Sequence, residues 1–119
     1  MESQELTIKI NDLYWTVKAV SADAPELNPK DKEELGAWGL CDMETLTIYL
    51  QNERLNPQLY KRYIWHEITH AFCLSYGIRP EVWANDSDAE EKLCYFMQSF
   101  GQSIYETVNY VYNCLYVEN

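Results

Sequence analysis

The chain contains only two histidines, four residues apart in the run Trp65-His66-Glu67-Ile68-Thr69-His70-Ala71. On a helix, residues four apart lie one above the other, so both imidazoles can reach a single cation. Neutral imidazole suits Zn²⁺, which in catalytic sites takes three protein ligands and keeps a fourth position for water. Glu67 stands beside the first histidine, where it can accept a proton from that water, whose pKa the metal lowers to about 7. One turn of helix therefore offers two ligands and a general base. The chemistry this suits is hydrolysis of a peptide bond. The metal polarises the scissile carbonyl, and Glu67 passes the proton on to the leaving amine. The H-E-x-x-H pattern fixes three residues only, but its flanks agree with it: Ile64, Trp65, Ile68, Thr69, Ala71 and Phe72 are uncharged, as a motif on a buried helix requires.

A third ligand must come from elsewhere, because no third histidine exists. Glu90 and Glu91 open the next helical stretch, where an antiparallel return would carry them back towards His70. Counting back from Leu93 and Met97 puts Glu90 on the apolar stripe and Glu91 on a more polar flank with Tyr95 and Gln98, which favours Glu90 and keeps Glu91 as the alternative. Ser87-Asp88-Ala89-Glu90 also reads as a capping box, which explains Glu90 without any metal. Asp86 and Asp88 can orient a histidine or simply be surface acids. Cys73, three residues beyond His70, and Cys94, four beyond Glu90, offer thiolates, against the commoner fate of cysteine as a small core residue.

These groups need a scaffold. Leu6 to Ile10 and Leu13 to Val20 alternate as strands do, and Asn11-Asp12 between them marks a tight turn, so a β-hairpin is expected. Ser21 to Glu34, with Pro25 and Pro29, reads as a surface loop. A third strand is expected over Gly36 to Cys41 and a fourth over Thr45 to Leu50, joined by a polar turn at Asp42-Met43-Glu44. Asn56 as N-cap, Pro57 in the first turn and Gly77 as terminator delimit a helix from Pro57 to Tyr76. Its apolar residues lie on more than one side, which predicts a central, buried helix. A short helical turn is expected at Pro80 to Trp83. Beyond Ser87 the spacing of Leu93, Met97, Phe100, Ile104, Val108, Val111 and Leu115 predicts a long C-terminal helix, or a pair divided near Gly101. The fold class is α+β, in one domain over residues 1–119.

Composition narrows the function classes. With 47% apolar and 24% charged residues in 119, the chain is globular and not disordered. Its net charge of −10 and nine scattered basic residues argue against a nucleic-acid partner. No apolar run reaches the ~20 residues of a membrane span, and Met1 to Ile10 lack a secretory pattern. Cys41, Cys73, Cys94 and Cys114 form no C-x-x-C pair, so free thiols in a reducing cytoplasm are expected.

His66-Glu67-Ile68-Thr69-His70, followed about twenty residues later by Glu90-Glu91 on a new helix, resembles the zincin metallopeptidases that use glutamate as third ligand. Gly39 leading into Thr45 to Leu50, then the motif helix, then the acidic helix start, is similar to compact zincin-like proteins of phages and mobile elements, with the ImmA/IrrE-like peptidases as relatives. The resemblance covers roughly Trp38 to Phe100. It implies a minimal zincin fold: a small twisted sheet packed on the motif helix, one Zn²⁺ on His66, His70 and Glu90, and a cleft beside an edge strand. Thr45 to Leu50 would be that edge strand and would hold an extended peptide by main-chain pairing. It also implies a peptide or protein substrate in the cytoplasm of a bacterial or phage-infected cell. Two family patterns are missing. Tyr95 to Phe100 does not match the F-A-x-x-L-L-M-P tail of ImmA-type enzymes, and Glu90 is followed four residues on by Cys94, where larger glutamate zincins have aspartate. A zincin-like protein that binds metal for assembly or interaction, without proteolysis, is the alternative from a different class.

Overall fold

Asn11 and Asp12 both take positive φ, 47° and 70°, which matches the twist that a two-residue hairpin loop imposes. They join β1 (Gln4–Ile10) to β2 (Leu13–Val20) in an antiparallel pair with Ile8 opposite Trp15. The expected second hairpin forms as well: β3 (Gly39–Asp42) runs antiparallel to β4 (Thr47–Gln51). The Asp42 carboxylate accepts from the Glu44 and Thr45 amides at 3.0 and 3.3 Å and so shapes the turn between them. This computed structural model describes residues 4–28, 38–53, 56–83 and 85–115. Gly36 and Ala37, expected at the start of the third strand, and residues 29–34 of the expected loop lie outside them.

The two hairpins combine in the order β1-β2-β4-β3, with β2 and β4 parallel. That order corrects one expectation. The fourth strand is not an edge, because β2 pairs with one side of it and β3 with the other. Among the described residues, the edge strand beside the motif helix is β3. The turn signals specified the local antiparallel pairs, whereas the parallel contact joins segments some thirty residues apart and has no local signature.

α1 (Pro57–Ser75) begins where the cap residues place it, with the Asn56 side chain accepting from the Gln58 amide at 2.8 Å. It ends one residue before Tyr76, and Gly77 follows at φ 67°. A 3₁₀ turn occupies Pro80–Trp83, and α2 (Ala89–Leu115) is one helix, not two. Ring contacts of Phe72 with Phe100, Trp65 with Tyr105 and Tyr60 with Tyr112 set α1 and α2 antiparallel. Among the described residues no helix is long and apolar enough to cross a membrane.

The core is one cluster in which Trp15, Val17, Ile48 and Leu50 of the sheet meet Ile64, Ile68 and Ala71 of α1 and Ile104, Val108 and Val111 of α2. At the far end of α1, Trp15 Nε1 donates to Ser75 Oγ and Asn11 Nδ2 donates to the Ser75 carbonyl, both at 2.9 Å. The hairpin turn thereby satisfies a carbonyl that the helix end leaves open. Leu27, in the expected surface loop, is fully buried in a 3₁₀ turn that packs on β3 and β4.

Candidate metal site

α1 positions the motif by its burial pattern. Ile64, Ile68, Ala71 and Phe72 face the core, and Glu67 is drawn under with them at 7% exposure. His66 and His70 fall on the exposed side. Their rings stand edge to face with centroids 4.9 Å apart, the stacking that an i, i+4 pair produces. Loss of solvent around the His70 ring, and then the charge of His66, hold His70 below the usual histidine value, which favours its neutral, metal-ligating form. The two imidazoles therefore lie side by side on the exposed face of α1.

Glu67 is held by the edge strand. A Cβ built on Gly39 would lie 2.9 Å from Glu67 Oε2 and 3.0 Å from its Cγ. The backbone of β3 therefore rests directly on this side chain, and only glycine leaves room. Cys41, two residues further along β3, is partly buried against the core and feels the Glu67 charge. Burial first, and the Glu67 charge second, push its thiol up to about 12. Burial also raises the Glu67 pKa above the usual value near 4.5, against a smaller lowering by His66. A carboxylate shifted in that direction is a better proton acceptor, as a general base requires. Trp38, just before β3, stacks on Tyr63 of α1 with centroids 5.6 Å apart and planes 18° from parallel, fixing the edge strand over the helix.

The exposed face of α1 opens into a cleft of about 530 Å³ lined by Arg62, Tyr63, Trp65, His66, Thr69 and His70. Glu90 lies on the wall of a neighbouring hollow of about 500 Å³, with Cys73, Pro80, Trp83, Leu93 and Phe96. Thr69 lines both. Among the described residues no group of three His, Cys, Asp or Glu side chains gathers at metal-binding distance. Glu91 is exposed on α2 and lines neither hollow.

The reason for preferring Glu90 needs revision. The buried seam of α2 runs through Phe96, Ile104, Val108, Val111 and Leu115, while Leu93 and Met97 are 51% and 47% exposed. Glu90 is therefore an exposed residue, not one on a buried stripe. The capping box is also displaced. The Asp88 carbonyl accepts from the Lys92 amide, so the helix starts after Asp88, and Asp86 supports that start by accepting from the Asp88 amide and pairing with Lys92. Asp86 is engaged there and does not orient a histidine. Burial, then the nearby Glu81, raise the Cys73 thiol, which disfavours a thiolate; Cys94 is exposed.

Sequence reasoning missed three features of this site. The Gly39 contact and the nearness of Cys41 to the Glu67 charge come from tertiary approach and have no local signal. Arg62 carried one: it precedes His66 by four, the same interval that separates the histidines. Comparison with known protein families, curated proteins and solved structures finds no match.

Proposed function

We propose that the protein is a zinc-dependent peptidase in which His66 and His70, with Glu90 as third ligand, hold the ion and Glu67 is the general base. One observation carries this reading: two aligned, exposed imidazoles border a cleft, and the one carboxylate between them in sequence is buried and held by β3. A surface histidine pair without a function has no need of such a partner, since a buried carboxylate that faces no cation is costly.

Zinc, when bound, supplies Lewis-acid chemistry, polarising the substrate carbonyl and acidifying water. Glu67 takes the proton from the attacking water and returns it to the departing amine. The Gly39 backbone keeps its carboxylate from swinging away, and Trp38 on Tyr63 holds the strand that carries it. The free edge of β3, in place of β4, is the strand along which an extended peptide would pair. Glu90 would be the third ligand; it lines the hollow that adjoins the histidine cleft at Thr69.

Glu67→Gln should retain one zinc per chain while hydrolysis of a casein-derived peptide mixture falls by at least about a hundredfold, the scale of general-base catalysis. Unchanged hydrolysis in that variant contradicts the assignment. The separation of Glu90 from the histidine cleft favours a second reading, a metal-binding protein that serves interaction and cleaves nothing. Stoichiometric zinc without hydrolysis of any peptide in the wild type would support it.

A further inference from the structure

The chain carries 19 acidic residues and a net charge of −10, yet no acidic side chain lines the histidine cleft among the described residues. The charged group on its wall is Arg62. It lies one turn before His66, about 6 Å along the helix axis, so Arg62, His66 and His70 form a line on the exposed face. Its neighbours in charge are otherwise occupied: Arg79 pairs with Glu81, Lys92 with Asp86, and Lys61 lies over the Tyr112 ring. No described carboxylate lies within ion-pair reach of Arg62. Tyr63 and Trp65 flank it with aromatic walls, Tyr63 itself fixed by Trp38.

The geometry points to Arg62 as the recognition residue for a carboxylate of the bound peptide, either an Asp or Glu side chain or the chain's own C-terminus. This rests on the peptidase reading for the peptide but not for its cleavage. A guanidinium offers a fork of donors that fits a carboxylate in two parallel bonds. An extended chain advances ~3.3 Å per residue, so a carboxylate on Arg62 sits about two residues from the group beside His66. The acidic remainder of the molecule does not cancel this. At physiological salt, charges beyond ~8 Å are largely screened, and among the described residues the charge on the cleft wall is that of Arg62.

The test measures binding to the metal-free full-length protein by fluorescence anisotropy. Three N-terminally labelled hexapeptide pools serve as probes: one with a single fixed Asp or Glu and an amidated C-terminus, one neutral with a free C-terminus, one neutral and amidated. One of the two carboxylate pools should bind about tenfold more tightly than the neutral amidated pool, as expected for a charge-assisted bond, and which pool does so identifies the source. Arg62→Gln should remove that preference, and Arg62→Lys should restore part of it. Equal binding of all three pools, no measurable binding of any, or a preference that survives Arg62→Gln overturns the inference. Arg62-dependent binding without hydrolysis by the zinc-loaded protein counts against peptidase action and leaves the carboxylate site standing. Hydrolysis with no dependence on Arg62 does the reverse.

Discussion

A carboxylate that is only 7% exposed, with a glycine backbone against its oxygen and a thiol beside it, is held by shape. Gly39 has an ordinary negative φ, so alanine there meets no backbone strain, only the Glu67 side chain. Gly39→Ala should therefore destabilise the metal-free protein by about 1–3 kcal/mol, the usual cost of overpacking. In a Glu67→Ala background the same substitution should cost close to nothing. Urea denaturation of the four proteins measures this coupling, and an equal cost in both backgrounds contradicts the contact. Charge adds a second test. The folded-state pKa of Glu67 is raised, chiefly by burial, so its protonated form is the one the fold favours. Its contribution to stability is full below the usual value near 4.5 and is lost as pH rises through the raised value. The melting temperature of the metal-free wild type, relative to Glu67→Gln, should fall as pH goes from about 4 to about 8. A difference that stays flat or grows would mean that the carboxylate is not desolvated.

At the scale of elements, what could be read in advance was whatever has a local cause. Asn11-Asp12, Asn56-Pro57 and Gly77 act on their immediate neighbours, and the first hairpin and both ends of α1 fall within two residues of where these place them. The strand order could not be read that way. The parallel β2–β4 pair made β3 the edge, so the proposed peptide-pairing strand moves from Thr45–Leu50 to Gly39–Asp42. The C-terminal helix shows the same division. Its length and continuity follow from spacing, but which residues face inward depends on the crossing with α1, and the seam passes through Phe96 in place of Leu93 and Met97. The histidine pair was legible because helix geometry alone brings its rings together. Which carboxylate approaches it depends on how two helices meet, which no local pattern specifies.

For the whole molecule, an acidic protein with one core places Arg62, His66 and His70 around a cleft on α1 and buries the Glu67 carboxylate of the same helix against β3. Sheet, helix pair and the Trp38–Tyr63 stack serve to keep β3 at its distance from α1, and that spacing is what encloses Glu67. The proposed chemistry requires the metal. Zinc-edge X-ray absorption of the purified, zinc-loaded chain reads the ion's ligands directly. It should show one ion per chain with two imidazole nitrogens, oxygen from a carboxylate, and a further oxygen from water that His66→Ala and His70→Ala abolish together with the ion itself. Absence of stoichiometric zinc, or a closed shell of four protein ligands including sulfur, would contradict it.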